Sequence, residues 1–303
     1  MAPNLDAASL FRVDGMVAVI TGGGTGIGLT MARALATNGA KRVFLLGRRL
    51  DVLEETCKEH PSIFAPIKCD VTSHASLQAA VDQIAAETGF INLLLANSGI
   101  SGATSGWNPT LPLSEVRVKM FAGQAIMDDM TSTFNVNVTG AFFTIVAFLE
   151  LLDAGNKKAV EGGFGAPLTP GSDVPSIQSQ VIVTSSISAY SRMAMSIPAY
   201  AASKAAILHL TKQASTSMAR YGIRANALAP GLFPSEMAQA LIGTRDPSKE
   251  AFDDPRFQPS RRFGGDEEMA GSLLYLASRS GAYCNGSVLM ADGGRLSVMV
   301  SSY

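Results

Sequence analysis

Short apolar runs alternate along the chain with segments that carry apolar residues at helical spacing. The first run, at 16–21, reads MVAVIT and ends at a glycine cluster, after which Ile27, Met31 and Leu35 follow at the spacing of one helix face. A short apolar run that ends at turn residues is typical of a strand buried on both faces of a parallel sheet. The same pattern predicts further strands at 42–46, 64–68, 91–96, 180–184, 224–229 and 287–290.

Helical segments occupy the intervals between these strands. Apolar spacing predicts them at 27–38, 50–58, 77–87, 134–152, 199–221 and 267–278. Strands that alternate with helices predict an α/β protein with a doubly wound parallel sheet. Because one alternating pattern runs through the chain, we expect a single domain over 1–303, with residues 1–14 as an N-terminal extension.

Three segments interrupt the alternation. Residues 101–112 and 156–179 are rich in Gly, Pro, Ser and Thr, and we interpret both as loop insertions. Residues 235–262 form the most polar long stretch and follow the sixth strand, at the sheet edge where open α/β sheets bind ligands. This position favours a mobile substrate lid at 235–262, and an ordinary surface loop remains the alternative.

Composition narrows the classes of partner. The 24 basic residues are balanced by 25 acidic ones, so no basic field favours nucleic acid or an anionic membrane. The longest nearly apolar stretch, 141–152, is shorter than the roughly 20 residues of a membrane helix, and the first fifteen residues do not resemble a signal peptide. Three widely separated cysteines favour a reducing compartment. Three histidines without ligand spacing, and the lack of a cysteine cluster, predict no metal site. We therefore expect a cytoplasmic protein that binds neither nucleic acid nor membranes.

A glycine-rich turn separates the first strand from the first helix. Residues 21–28 read TGGGTGIG, which fits the spacing TGxxxGxG and lacks the Gly-Lys-Ser/Thr of a P-loop. A helix N-terminus offers unpaired N–H groups and the positive end of a dipole to a phosphate, and glycines permit close backbone approach. The turn predicts a dinucleotide site formed by Gly22, Thr25, Gly26, Ile27 and Gly28; a merely flexible turn is the alternative.

Two arginines follow the second strand, where a dinucleotide site binds the adenosine ribose. An acidic residue there accepts the 2′-hydroxyl in NAD sites, whereas an arginine accommodates the 2′-phosphate of NADP. This chain has Arg48 and Arg49 and no carboxylate at that point. The pair favours NADPH over NADH, unless both guanidinium groups are simply solvated charges at a helix start.

Tyr200 and Lys204 open a predicted helix and, being four residues apart, share one face. An ammonium group close to a tyrosine stabilises the phenolate and lowers the tyrosine pKa, which makes a general acid and base. Ser186, at the end of the fifth strand, is placed to offer a hydroxyl to the same carbonyl oxygen, and Ser185 competes for that role. Taken singly, such residues are also typical of a surface pair and a helix cap.

Together with the glycine turn, these residues resemble the classical short-chain dehydrogenase/reductase family over 17–294. The resemblance implies a Rossmann fold in which Tyr200 exchanges a proton with the substrate oxygen, Lys204 lowers the Tyr200 pKa and binds the nicotinamide ribose, and Ser186 holds the carbonyl. Asn137 matches the asparagine that supports a proton-relay water; a polar residue that kinks a dimer-forming helix is the alternative reading. Further cofactor contacts are implied for Asp70, Val71, Asn97, Ser98, Gly99, Pro230, Gly231, Leu232 and Ser235.

Two of these positions depart from the family pattern. The family commonly has Asn-Asn-Ala-Gly after the fourth strand, where this chain has Ala96, Asn97, Ser98 and Gly99. Ser235 replaces a common threonine and keeps the hydroxyl. The glycine and one asparagine are retained, so cofactor contact is still expected at this strand end.

The resemblance implies an NADPH-dependent carbonyl reductase that acts on a small molecule. An NADPH-binding sensor or scaffold without chemistry, and a cyclisation, epimerisation or dehydration on the same fold, are the alternatives. Met193, Met195, Trp107 and Phe233 suggest a bulky or hydrophobic ketone as substrate. The resemblance also implies a homodimer or homotetramer through the two long helices.

Overall fold

The apolar runs predicted as strands form one parallel sheet in the computed structural model, which describes residues 5–102, 106–194 and 196–303. The strand order is β3-β2-β1-β4-β5-β6-β7, so the predicted doubly wound Rossmann-type sheet is confirmed. The order reverses between β1 and β4, which creates the crevice at the carboxyl edge. The strands are β1 (Val17–Thr21), β2 (Arg42–Gly47), β3 (Phe64–Lys68), β4 (Leu93–Ala96), β5 (Gln180–Thr184), β6 (Arg224–Pro230) and β7 (Val288–Ala291).

Helices cover both faces of this sheet. They are α1 (Ala7–Leu10), α2 (Gly26–Thr37), α3 (Leu50–Cys57), α4 (His74–Glu87), α5 (Leu113–Met120), α6 (Gln124–Phe134), α7 (Ala141–Ala147), α8 (Leu149–Val160), α9 (Pro198–Met218), α10 (Gln239–Ile242) and α11 (Asp266–Ala277).

The hydrophobic core has two halves because successive strand residues point to opposite faces of the sheet. Ile20 is in register with Leu45 and Leu95, and these side chains pack with α2 and α11 on one face. The neighbouring row of Val19, Phe44 and Leu94 packs with α4 and α7 on the other. Continuous apolar strands therefore follow from burial on both sides.

The long helix predicted at 134–152 is interrupted and displaced. A π-helical turn, Asn135–Gly140, separates α6 from α7, and α8 begins after a 45° bend and continues to Val160. The interpretation of 156–179 as a loop is therefore wrong for its first five residues, which lie in α8. The apolar pattern missed this because the end of α8, GNKKAV, is polar on its exposed side.

No single helix in the described ranges is long and apolar enough to span a membrane, although a bent pair at 124–147 and 149–160 has the length and composition to do so.

Candidate active site

The glycine turn brings backbone segments too close together for larger residues. Gly22 and Gly26 have positive φ angles of 66° and 54°, a region that favours glycine. A Cβ atom on Gly28 would lie 2.2 Å from the carbonyl oxygen of Gly22. The first helical residue is Gly26, and the side chain of the preceding Thr25 makes no capping hydrogen bond to the N-terminus of α2. The turn thus fits a phosphate group, which the free N–H groups of the first turn would bind.

Thr21 connects this turn to the end of β4. Its hydroxyl oxygen accepts hydrogen bonds from the backbone N–H groups of Asn97 and Ser98, both at 3.0 Å. The Asn97 amide donates to the carbonyl oxygens of Thr21 and Gly22 and accepts from the hydroxyl of Thr184. Sequence reasoning left Thr21 and Thr184 out of the site, because a hydroxyl at a strand end was the only signal they gave.

The two arginines after β2 differ in their surroundings. Arg48 is exposed, and its positive charge contributes to lowering the pKa of Asp70, which is lowered mainly by hydrogen bonds from Thr72. Arg49 instead donates to a carboxylate oxygen of Glu236 at 3.0 Å. Arg48 and Asp70 therefore share one corner of the crevice, whereas Arg49 reaches across to the predicted lid.

Lys204, Asn137 and Gly99 meet beneath the crevice. Lys204 is only 4% exposed, and its Nζ donates to the Thr184 carbonyl at 2.8 Å. A Cβ atom on Gly99 would lie 3.3 Å from both Lys204 Nζ and Asn137 Oδ1. The absence of a side chain at Gly99 therefore leaves room beside the lysine.

Asn137 lies in the π-helical turn, and its side-chain amide is fully engaged. It accepts from the N–H of Ile100 at 2.8 Å, donates to the Ile100 carbonyl at 2.8 Å, and donates to the Ser203 hydroxyl at 3.0 Å. The side chain thus holds the segment after β4 against α9. Ile100 and Ser203 were not predicted, since neither residue type carries a functional signal.

The two serines after β5 point in different directions. Ser185 donates to the backbone carbonyl of Lys204 at 2.9 Å and is thereby committed to α9. Ser186 accepts from the N–H of Ser188 at 3.1 Å, and its hydroxyl is close enough to Tyr200 to contribute to lowering the Tyr200 pKa. This geometry favours Ser186 over Ser185 as the group that shares a substrate oxygen with Tyr200.

Burial shifts the proton affinities of Tyr200 and Lys204. It raises the pKa of Tyr200, and the hydrogen bond with Ser186 offsets part of this rise. It lowers the pKa of Lys204 from 10.5 to about 8. Lys204 Nζ lies 5.7 Å from the Tyr200 ring centroid and donates to Thr184. The expected lowering of the Tyr200 pKa by Lys204 is therefore not found in the protein chain alone, because the ammonium group is directed at a backbone carbonyl.

The lowered pKa of Lys204 predicts a pH dependence of stability. Between pH 8 and 10.5 the unfolded chain binds the lysine proton and the folded chain releases it, so stability rises with pH in this window. The rise amounts to about 3 kcal/mol at about 1.4 kcal/mol per pKa unit. Urea unfolding of the cofactor-free protein and of Lys204→Met measures it. Parallel curves for the two proteins across pH 8–10.5 would contradict the burial cost assigned to this lysine.

The segment after β6 completes the crevice. Gly231 donates to the Ala291 carbonyl at 2.9 Å, and the carbonyl of Leu232 accepts from Gly264 at 3.0 Å. A Cβ atom on Gly26 would lie 3.1 Å from the Cβ atom of Ser235. The residues after Pro230 therefore approach the glycine turn, whereas Val71 lies on the other side against Gly140 of the π-helical turn.

The four candidate substrate residues differ in their surroundings. Met193 borders a cavity of about 590 Å³ together with residues 253–256. Trp107 is 56% exposed, whereas Phe233 is 6% exposed and packs into the core against Gly264. Phe233 is therefore unsuited to line a substrate pocket, because its ring is covered by the protein itself. Met195 lies outside the described residues.

The predicted lid at 235–262 is held by hydrogen bonds along its second half. Arg245 forms a largely buried ion pair with Glu250 at 2.7 Å, and Glu250 also accepts from the N–H of Gln258 at 3.2 Å. The Gln258 amide donates to the Asp292 carbonyl at 2.7 Å. These hydrogen bonds tie 245–258 to the residue after β7, whereas the first part of the segment contains the short helix α10.

Within the described ranges, no group of three or more histidine, cysteine or acidic side chains is arranged to hold a metal ion.

Comparison with known proteins gives a consistent set of similarities. The short chain dehydrogenase family model matches residues 16–160, and an enoyl-(acyl carrier protein) reductase model matches 172–295. The chain is 56% identical to the short-chain dehydrogenase/reductase SAT3 of Stachybotrys chartarum, over 90% of this chain and 100% of that protein.

Two solved structures extend the comparison. A gluconate 5-dehydrogenase from Burkholderia cenocepacia in complex with NADP and tartrate aligns with a TM-score of 0.71 and 30% identity, covering 96% of this chain and 99% of that one. The NADPH-dependent 3-quinuclidinone reductase of Rhodotorula rubra aligns with a TM-score of 0.70 and 28% identity, covering 97% and 96%.

Proposed function

Because the chain belongs to the short-chain dehydrogenase/reductase family, we propose that it is an NADPH-dependent reductase that converts a ketone to a secondary alcohol, or the reverse. One observation carries the proposal. Ser186 after β5, together with Tyr200 and buried Lys204 on α9, lies at the same sheet edge as the glycine turn after β1, and Lys204 Nζ donates to the Thr184 carbonyl at the end of β5. A proton donor for an oxygen atom and a dinucleotide cradle are thereby placed side by side.

The protein residues handle the proton and the substrate oxygen. Ser186 and Tyr200 donate hydrogen bonds to the carbonyl oxygen, which polarises the carbonyl bond and stabilises charge that develops on oxygen. Tyr200 then transfers its proton to that oxygen, and the reverse reaction returns the proton. Lys204 and Asn137 support this pair through hydrogen bonds, Lys204 to the Thr184 carbonyl and Asn137 to Ile100 and the Ser203 hydroxyl. The bound cofactor supplies or accepts the hydride.

The glycine turn and Arg48 support a nicotinamide dinucleotide, with NADPH as the preferred form. The turn offers N–H groups for the diphosphate, and exposed Arg48 offers a fork-shaped donor for a 2′-phosphate. The two solved relatives described above carry NADP or NADPH in their names. Asp70 keeps a carboxylate in the same corner, and its Thr72 hydrogen bonds direct it toward its own loop.

Replacing Arg48 by glutamine should reduce the preference for NADPH over NADH. The measurement is a thermal shift with each cofactor. As the reference, the wild-type protein at about 100 times its NADPH dissociation constant should gain roughly 2.7 kcal/mol of stability. In Arg48→Gln the NADPH affinity should fall by about tenfold or more, since one charge-assisted contact is lost, while the NADH affinity stays unchanged. Arg279→Gln, at another exposed arginine, serves as the control. Equal losses for NADPH and NADH would contradict a 2′-phosphate contact.

A cofactor-binding sensor or scaffold is the competing function from a different class. It predicts thermal stabilisation by NADPH together with no consumption of NADPH across a broad screen of ketones. The combination of Ser186, Tyr200, Lys204 and Asn137 at one sheet edge favours the enzyme, because cofactor binding alone does not require a tyrosine beside a serine hydroxyl.

We further propose that the enzyme is a cytoplasmic homodimer or homotetramer. The helices predicted to mediate association expose Phe143, Val146 and Val160, each at least 40% accessible. Burying such side chains against a second copy is favourable at about 25 cal/mol per Å². The near-neutral charge and the free cysteines Cys57, Cys69 and Cys284 support an intracellular enzyme of small molecules.

A further inference from the structure

Residues 295–303 connect two segments, one between Ser186 and the helix that carries Tyr200, and one at 253–256 that borders a cavity with Met193. We call residues 295–303 the C-terminal strap and residues 187–197 the Ser–Tyr connection, because the latter joins Ser186 to the helix that carries Tyr200. The family-model match ends at residue 295. The strap is therefore almost wholly outside the sequence pattern that identifies the family.

The end of the strap pairs with the Ser–Tyr connection as a short antiparallel bridge. Ser301 is the bridge partner of Ser191. The N–H of Arg192 donates to the Val300 carbonyl, and the N–H of Ser302 donates to the Tyr190 carbonyl, both at 2.8 Å. These bonds satisfy backbone groups that would otherwise face water.

Aromatic packing reinforces the bridge. The Tyr303 ring meets the Tyr190 ring edge to face, with centroids 5.5 Å apart and planes at 74°. Tyr190 ends a 3₁₀ turn, Ile187–Tyr190, which begins directly after Ser186. A 3₁₀ turn of this length is weak by itself, so its position depends on such tertiary contacts.

The beginning of the strap binds the opposite wall. Arg295 donates to the Phe257 carbonyl at 2.8 Å and to the Pro255 carbonyl, and its Nη2 lies 3.4 Å from Sδ of Met193. Met193 and residues 253–256 border the cavity of about 590 Å³. One guanidinium group therefore ties together the two sides of this cavity.

We propose that the C-terminal strap is a positioning element that sets the geometry of Ser186 and Tyr200 and the width of the adjacent cavity, and thereby selects the ketone. The inference rests on the proposed function. Ser186 directly precedes the Ser–Tyr connection, Tyr200 lies in the first turn of the helix that follows it, and the Ser188 N–H donates to the Ser186 hydroxyl oxygen at 3.1 Å. A displacement of the connection thus changes how both hydroxyl groups meet a substrate, without touching the glycine turn.

The test removes the strap contacts in steps. A truncation that ends at Ser297 deletes the bridge and the ring contact; Tyr303→Ala deletes only the ring contact, and Tyr303→Phe keeps it. Tyr283→Ala is the matched control, because Tyr283 is fully exposed. Each full-length or truncated protein is measured for amide hydrogen exchange over 187–194, for NADPH affinity, and for reduction of 2-hexanone and 2-decalone with NADPH.

Truncation should increase exchange over 187–194 by about tenfold, as expected for a segment that has lost its tertiary contacts. KM for the bicyclic ketone should change by about tenfold or more relative to the linear one, with NADPH affinity unchanged. Tyr303→Ala should show a smaller change of the same kind, and Tyr303→Phe and Tyr283→Ala should match the wild type. If the truncated chain does not fold, Tyr303→Ala decides.

Unchanged exchange over 187–194 in the truncated protein or in Tyr303→Ala would overturn the inference whether or not a ketone is reduced. Increased exchange with the same KM ratio for the two ketones would also overturn it. A wild-type protein that binds no NADPH would instead overturn the proposed function, and the exchange data would still report on the strap.

Discussion

Tyr200→Phe is expected to lower kcat for ketone reduction by about 10²–10⁴-fold while NADPH affinity stays within about twofold of the wild type. The substitution removes one hydroxyl group and keeps the ring, so the packing of α9 and the 5.7 Å approach of Lys204 to the ring are retained. In the proposed mechanism the lost group is the proton donor and one of two hydrogen-bond donors to the substrate oxygen. Residual activity in the variant would come from the Ser186 hydrogen bond to the substrate oxygen and from the positioning of substrate and cofactor.

Single-turnover kinetics with NADPH and fluorescence titration of the cofactor measure the two quantities separately. Tyr221→Phe is the matched control, because Tyr221 is an exposed tyrosine just beyond the end of the same helix. Full activity in Tyr200→Phe would exclude this tyrosine as the proton donor. A parallel loss of NADPH binding would assign it to cofactor binding instead of proton transfer.

Gly28→Ala is expected to reduce NADPH affinity by about 100-fold, which is the loss of one to two charge-assisted hydrogen bonds. The new Cβ atom would lie 2.2 Å from the Gly22 carbonyl oxygen and 2.7 Å from Nδ2 of Asn97. The first contact is with backbone, which does not rotate away. The glycine turn must therefore move, and the N–H groups that would bind the diphosphate move with it.

Gly271→Ala is the control for the intrinsic effect of replacing a helical glycine. Gly271 lies in α11, and a Cβ atom there meets no heavy atom within 4 Å. This variant should bind NADPH normally and gain about 0.5–1 kcal/mol of stability. Calorimetric titration of both variants measures the difference. Wild-type affinity in Gly28→Ala would mean that the turn relaxes without disturbing its ligand.

Residue order and spacing predicted much of this architecture. The apolar runs located the seven strands to within about two residues, because a strand buried on both faces is mostly apolar. The spacing of Tyr200 and Lys204 placed both on one face of α9, as a helical period requires. The helices α5 and α6 escaped prediction, because they are mostly exposed and their polarity resembles that of a loop.

Choices between neighbouring residues needed the tertiary structure. The family resemblance favoured Ser186 over Ser185, and the tertiary structure supplies a physical reason, because the Lys204 carbonyl accepts a hydrogen bond from the Ser185 hydroxyl. Arg48 and Arg49 look equivalent in the chain, yet Arg49 meets Glu236, 187 residues away. These hydrogen-bond partners are set by the tertiary fold, which brings together segments that are far apart in the chain.

The sequence by itself determined the doubly wound sheet, the glycine turn and the candidate Ser, Tyr and Lys residues, since these depend on local periodicity and on residues close together in the chain. Only the tertiary structure decided that the Ser185 hydroxyl donates to the Lys204 carbonyl, that burial raises the Tyr200 pKa and lowers that of Lys204, and that the C-terminal strap pairs with the Ser–Tyr connection. Burial and long-range hydrogen bonds arise from the packing of segments far apart in the chain, which no local pattern records.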